Sequence, residues 1–570
     1  MTVIPTKVGA IPLLLAAMTT MFAALAHAQT PPDAGTLYQQ IERQRTTPLL
    51  PPLMPAKPVT PPPEMKADTL SLSVTRFRFA GNTLLSAEQL APAVAAYLNR
   101  PLDFNQLQAA AMAVAQLYRD AGWIVRAYLP AQDIEDGEVT IQIVEAVFGR
   151  IFLDGDSLRI TPARILAPFG ARQQAGQPFS AQAHDRALLI ADDLPGVSVS
   201  GSLKPGAEEN QTDVVLKISD EPLWFGDGGL DNTGSLSTGE TRTSINGGLN
   251  SPFGRGDQIN ANFSHTDGSD YLRLSYTQSL GDDGWRIGGN TSYMFYHVVA
   301  PAEIVAADIH GSSTTFGLEA RYPLLRTRLN NLYYSLTLDH KAFDNADFEK
   351  TNSQYYTLSM SMSLSGNFID NFYGGGFNNG SVGLTGGRVN LNGSPNQAGD
   401  AATTNTQGHY SKLRYSLSRQ QVITPDLALY AAWSGQRANK NLDSSEKFSL
   451  GGSQGVRAYP GSDGSGSEGD LLNIELRYKF LNGFSATAFY DWGRIVQNID
   501  NDFIGGAALN RFQLKGYGLS LAWQAATGFN VKAVWAQRAG DNPNALPESG
   551  KDQDGTLVKN RWWLSANIPF

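Results

Sequence analysis

Two hydrophobic periods alternate between Leu70 and Ser219. Leu107, Ala111, Val114 and Tyr118 recur at i, i+4, i+7 and i+11, which places them on one face of a helix from Phe104 to Ala121. Val139, Ile141 and Ile143 alternate with Thr140 and Gln142, the period of a strand covered on one side. Around these segments the pattern predicts one order of elements twice. The first set is a strand Leu70 to Phe79, helices Ser86 to Tyr97 and Phe104 to Ala121, and strands Ile124 to Leu129 and Val139 to Val144. The second is a strand Val147 to Leu153, helices near Thr161 to Leu166 and Ser180 to Leu194, a Pro195-Gly196 break, and strands Val197 to Leu203 and Asp213 to Ser219. A period of about 75 residues is too long for a solenoid, whose repeats run to about 50. The expectation is two β-α-α-β-β units, residues 69–145 and 146–220.

From Glu221 to Phe570 the helical period disappears, and sixteen segments read as strands between turns rich in Gly, Asn, Asp and Ser. In the last, Trp562, Leu564, Ala566, Ile568 and Phe570 share one face, and Arg561, Trp563, Ser565 and Asn567 the other. Strands of a soluble sandwich average about 5 to 6 residues, and these run longer. Long strands, an even count and one apolar face predict a sixteen-stranded antiparallel barrel in an outer membrane, residues 221–570. A barrel of that size encloses water instead of a packed core, so the apolar face meets lipid and the fold supplies a conduit.

The amino terminus predicts export. Lys7 precedes an apolar run from Val8 to Leu25, and Ala26-His27-Ala28 offers small residues at the positions a signal peptidase reads, so residues 1–28 are expected to be a signal peptide. Residues 29–45 follow as a short polar helix in which Thr36-Leu37-Tyr38-Gln39 has the spacing of a capping box and Leu37 and Ile41 share a face. Such a helix is too short to stand alone and needs a surface to dock on. Residues 46–68 are proline-rich, and at about 3.1 Å per residue this tether reaches roughly 70 Å.

Composition narrows the chemistry. The chain has 570 residues with 44 basic and 53 acidic side chains, a net charge of -9, against a nucleic-acid partner. It has no Cys, which excludes disulfides, a thiol nucleophile and thiolate metal sites. Gly451-Gly452-Ser453-Gln454-Gly455 matches the nucleophile-elbow spacing but sits between strands of a barrel, where the required strand-to-helix turn is missing. Asp552-Gln553-Asp554-Gly555 is half of a calcium loop without its later Glu. Neither an enzyme nor a cofactor or metal site is expected.

One constellation remains. The long loop 448–468 contains six glycines around Val456-Arg457-Ala458-Tyr459, and one strand later comes Phe489-Tyr490-Asp491-Trp492-Gly493. So much glycine lets the backbone fold back tightly. By alternation Phe489, Asp491 and Gly493 face the lumen, where a guanidinium would be a bidentate partner for Asp491. A water-filled lumen also carries many charges with no special task.

The stretch Ala127-Tyr128-Leu129-Pro130-Ala131-Gln132-Asp133-Ile134-Glu135-Asp136-Gly137 resembles the signature of the first POTRA domain in the outer-membrane transporters of two-partner secretion, the haemolysin secretion/activation and filamentous-haemagglutinin transporter family. Leu230-Asp231-Asn232-Thr233-Gly234 resembles that family's barrel entrance. The resemblance implies two periplasmic POTRA domains, a plug helix carrying Leu37 and Ile41, and an inward-folding loop whose Arg457 pairs with Asp491. It implies a bacterial outer-membrane pore that takes a large unfolded exoprotein, of haemolysin or adhesin type with an N-terminal secretion domain, to the cell surface without ATP. Phe570 resembles the carboxyl-terminal signal read by the outer-membrane assembly machinery, so that machinery and outer-membrane lipids are expected partners. The family usually has Gly where this chain has Ala458, which bears on the loop tip's backbone because Ala resists positive φ. A barrel-assembly insertase of the same superfamily is the alternative.

Overall fold

The computed structural model describes residues 32–45, 72–157, 159–301, 305–348, 350–547 and 549–570. The expected signal peptide and the proline-rich tether lie outside the described residues.

The two small units share one topology. In the first, Glu138–Glu145 is the central strand, parallel to Arg76–Ala80 and antiparallel to Val125–Tyr128. In the second, Gln211–Asp220 is central, parallel to Val147–Asp154 and antiparallel to Val197–Pro205. Val139, Ile141 and Ile143 meet Leu107, Ala111, Val114 and Tyr118 of the helix Phe104–Asp120 in one buried cluster, as the two periods require. The first strand is shorter than its pattern implied. Leu72–Ser73 splits away from Arg76–Ala80 to pair with Pro101–Leu102. The first helix stops at Val94 and closes with a tighter turn to Tyr97, because Pro92 removes an amide donor from its last turn. The two units abut through backbone: Ile124 N–H donates to the Phe179 carbonyl at 3.0 Å, and Ala181 N–H to the Gly122 carbonyl at 2.8 Å.

Sixteen antiparallel strands close the barrel, the last strand Asn560–Pro569 pairing with the first, Trp224–Asp231. The expected faces hold on the last strand. Trp562, Leu564, Ile568 and Phe570 are exposed to the exterior while Arg561 and Trp563 are buried within. Several strands are longer than an apolar band of about 25 Å needs. Lys350–Asp370 has 21 residues and Asn330–Asp347 has 18, so their hairpins stand out beyond the membrane.

The second unit is bolted to the rim from which the chain enters the barrel. The Asp283 carboxylate, in the turn before the strand Trp285–His297, accepts from Arg172 Nε at 2.9 Å and Nη2 at 2.8 Å, from Arg186 Nε at 3.2 Å and from Tyr322 Oη at 2.5 Å. Asp193 takes both arms of the Arg326 fork at 2.8 Å. Burial alone would raise the Asp283 carboxyl, but the hydrogen bonds from Arg172 and Tyr322 and the charge of Arg186 outweigh it and hold it at about 2.

Candidate functional site

The lumen is occupied by two elements from distant parts of the sequence. The first is the amino-terminal helix, Ala34–Arg45. Its start differs from the Thr36 capping box expected from sequence. Asp33 is the residue that caps, its Oδ1 accepting the Thr36 N–H at 2.8 Å and its carbonyl the Leu37 N–H at 3.1 Å. An Asp one step before the first turn satisfies those free amides, which leaves Thr36 inside the helix. Ala34, Leu37 and Tyr38 are buried against Tyr271, Met294, Tyr296, Phe343, Tyr355 and Tyr410 of the barrel's inner wall, and Ile41 packs at the edge of this cluster. A helix too polar to fold alone thus finds its apolar surface inside the pore.

Polar contacts fix its position. Ala34 N–H donates to Asn345 Oδ1 at 2.8 Å, Tyr296 Oη to the Pro32 carbonyl at 3.1 Å, and Ser444 Oγ to Asp33 Oδ1 at 2.8 Å. Glu42 receives Tyr271 Oη and lies 3.4 Å from Arg273. Arg43 reaches the other occupant: its Nη1 donates to the carbonyl of Ser449 at 2.7 Å and its Nη2 to that of Gln454 at 3.2 Å.

That second occupant is the glycine-rich loop. Its ends pair as a small ribbon, Phe448–Ser449 with Ser465–Gly466, and the inward excursion already begins at residue 439, earlier than the expected 448. Residues 439–447 lie against the helix, and Glu446 there forms a buried triad with Lys341 and Lys412. The loop's positive-φ positions are Gly452 at 93° and Gly464 at 75°, and Ala458 is not among them, so alanine is tolerated at the tip. Gly455 serves a different need, since a Cβ there would stand 1.7 Å from the Leu450 carbonyl oxygen.

At the tip Arg457 is 6% exposed. Its Nε lies 2.9 Å from Asp491 Oδ2 and its Nη2 2.7 Å from Asp491 Oδ1, a two-pronged pair, and its own N–H donates to Oδ2 at 3.0 Å. The third nitrogen, Nη1, reaches Glu475 Oε1 at 2.8 Å, and the guanidinium carbon lies 3.5 Å above the Phe489 ring. Asn473 Nδ2 donates to Asp491 Oδ1 at 2.7 Å, and Arg477 completes Glu475 at 2.8 Å. Both charges are desolvated and fully paired, the condition under which losing one partner is most disruptive.

Each residue singled out in sequence has a definite place here. Phe489 carries the guanidinium, Asp491 pairs it, and Gly493 seats Leu450, whose Cδ2 would stand 2.6 Å from a Cβ at that position. Val456 and Ala458 are fully buried, and Tyr459 lies under Arg538 at 4.6 Å. Phe570 is elsewhere, on the lipid face at the seam, its backbone paired with Gly226 in both directions. Sequence reasoning missed Glu475, Asn473, Trp563 and Gly516. Trp563 Nε1 donates to the Arg457 carbonyl at 2.8 Å, tying the tip to the last strand. Gly516 leaves the space into which the Ala458 methyl projects, 2.7 Å from where a Cβ would be.

Residues 210–512 match the family profile described as haemolysin secretion/activation protein ShlB/FhaC/HecB, and residues 72–146 match a POTRA domain of ShlB type. The heme/hemopexin transporter protein HuxB of Haemophilus influenzae strain 86-028NP is 23% identical over 553 residues, covering 95% of each chain. The outer membrane transporter CdiB of Dickeya dadantii is 22% identical, covering 81% of each. Among solved structures, CdiB from Escherichia coli superposes with a TM-score of 0.70 at 20% identity, covering 95% of this chain and all of that one. BamA from Haemophilus ducreyi lacking POTRA domains 1-3 gives 0.53 at 15% identity, covering 88% of this chain and all of that one.

Proposed function

The chain belongs to the haemolysin secretion/activation protein family of ShlB, FhaC and HecB, and from that premise we propose that it is the outer-membrane pore of a two-partner secretion system, resting in a plugged state. The observation that carries the reading is the double occupancy of the lumen. Helix Ala34–Arg45 and the Arg457 loop fill a path otherwise wide enough for an extended chain, and both are held by side-chain bonds that can be exchanged.

Residues 69–145 and 146–220 act as periplasmic POTRA domains that receive an unfolded client, and residues 221–570 conduct it. The client is a large exoprotein of haemolysin or adhesin type with an N-terminal secretion domain. It displaces the helix, which stays tethered through residues 46–68, and the loop bearing Val456, Arg457, Ala458 and Tyr459 leaves Phe489, Asp491 and Gly493. No nucleotide drives the step. Folding of the client at the cell surface makes return unfavourable and gives transport its direction. Phe570 serves the assembly machinery during insertion, and the outward apolar belt meets outer-membrane lipid.

Co-expression with a candidate large exoprotein tests this directly. Surface release that depends on the chain supports secretion. Loss of other barrels from the outer membrane, with the exoprotein unaffected, would support the insertase reading instead.

A further inference from the structure

Three loops lie on the barrel rim opposite the POTRA units, residues 391–407, 497–510 and 539–559 apart from 548, and each bonds to the inward stretch 439–467. Asn441 carries the first two. It is 4% exposed. Its Nδ2 donates to the Thr404 carbonyl at 3.0 Å and the Asp500 carbonyl at 2.7 Å, while its Oδ1 accepts the N–H groups of Ile499 at 2.7 Å and Asp500 at 3.0 Å. Two donors and two acceptors are what a carboxamide offers, so every position is used. Asp463 carries the third loop, accepting from Asn542 Nδ2 at 2.8 Å and the Gln553 N–H at 3.1 Å. Lys440 adds a bond to the Gln407 carbonyl at 2.8 Å, and Ser467 N–H one to the Gln497 carbonyl at 3.0 Å. A direct bond between two of the loops, Gln497 Nε2 to Asn544 Oδ1, is long at 3.4 Å.

We propose that residues 439–467 are the keystone of a cell-surface lid, and that Asn441 is the positioning residue holding the exit shut. The loops rest on the keystone more than on each other, so the lid opens when the keystone shifts. The same stretch touches the plug helix through Ser444 and receives Arg43 at Ser449, so departure of the helix loosens the keystone from below. Plug release and exit opening then form one coupled step, and a pore whose plug has left does not meet a second barrier. The inference deepens the secretion reading and rests on it for the direction of traffic alone.

A cavity of about 470 Å³ lies under the lid, lined by Thr36, Gln40, Ser462, Asn498 and Phe503 among others. Among the described residues Ser462 Oγ has no hydrogen-bond partner, so Ser462→Cys places a thiol under the lid without breaking a bond seen there, in a chain with no other cysteine. Intact cells carrying this reporter are treated with a bulky, membrane-impermeant maleimide, and the labelling rate is measured with no client present. Adding Asn441→Ala is expected to speed labelling by about tenfold or more, the change in opening equilibrium that follows loss of one or two hydrogen bonds. Asn441→Asp keeps the shape but sets a buried carboxylate oxygen against the Thr404 and Asp500 carbonyls, and is expected to speed labelling at least as much. It also serves should the alanine variant fail to insert. Heat-modifiable migration of the folded barrel should not change. Equal labelling rates in the parent and in an inserted Asn441 variant overturn the proposal, as does a parent already labelled at the rate of a fully exposed thiol. None of these readouts uses secretion, so failure of the lid and failure of the secretion reading are told apart.

Discussion

Arg457 and Asp491 are 34 residues apart in sequence and share a two-pronged ion pair at 2.9 and 2.7 Å, with Asp491 wholly buried. Removing the guanidinium leaves a desolvated carboxylate without a counter-charge, a loss of about 3–5 kcal/mol at such sites. Arg457→Ala is therefore expected to release the loop tip and abolish exoprotein secretion while the barrel still inserts. Arg457→Lys should rescue little, because an ammonium cannot span both carboxylate oxygens while stacking on Phe489. Secretion assays with outer-membrane fractionation check both variants.

Two glycines on neighbouring strands make room for the loop. Gly493 receives Leu450 and Gly516 receives Ala458. Gly493→Val or Gly516→Val should expel the loop by overlap, at a cost of about 1–3 kcal/mol, and leave the wall intact. Single-channel recording in planar bilayers should find higher conductance than in the parent.

Deleting Ala34–Arg45 removes the other occupant together with the Arg43 bonds to the loop. Conductance is expected to rise further than with either glycine variant. An unchanged conductance would mean that the helix does not obstruct the path.

The Asp283 clamp gives a pH dependence. Its carboxyl titrates at about 2 when docked, below its ordinary 3.8, so the docked state holds fewer protons across that interval. The clamp's contribution is complete above about pH 4 and is lost as pH falls toward 2. Hydrogen exchange at residues 281–284 should stay slow at pH 5 and quicken through that window. Asp283→Asn should already exchange quickly at pH 5.

Much of this was legible in the sequence because strand alternation is a local property. It placed Phe489, Asp491 and Gly493 on the inner face and Trp562, Leu564 and Ile568 on the outer one. The partners that complete the site were not legible, for a register reason. Asn473 stands directly opposite Asp491, and Glu475 opposite Phe489, on the preceding strand, while Gly516 faces Asp491 from the following one. Nothing within a single strand fixes which residue its neighbour presents. The helix cap failed differently. Thr36 and Asp33 are both good caps by type, and the buried docking of Ala34 decides between them.

For a client to travel through the lumen that the helix now fills, the helix must leave. A Cβ added at Gly35 would stand 2.5 Å from Ser444 Oγ, close enough for a disulfide in a Gly35→Cys/Ser444→Cys variant of this cysteine-free chain. Exoprotein release from cells carrying that variant, measured under oxidising conditions and again after reductant, is the most direct test. Release is expected to stop with the helix locked and to return when the bond is reduced. Release at the parental rate with the disulfide fully formed would contradict it.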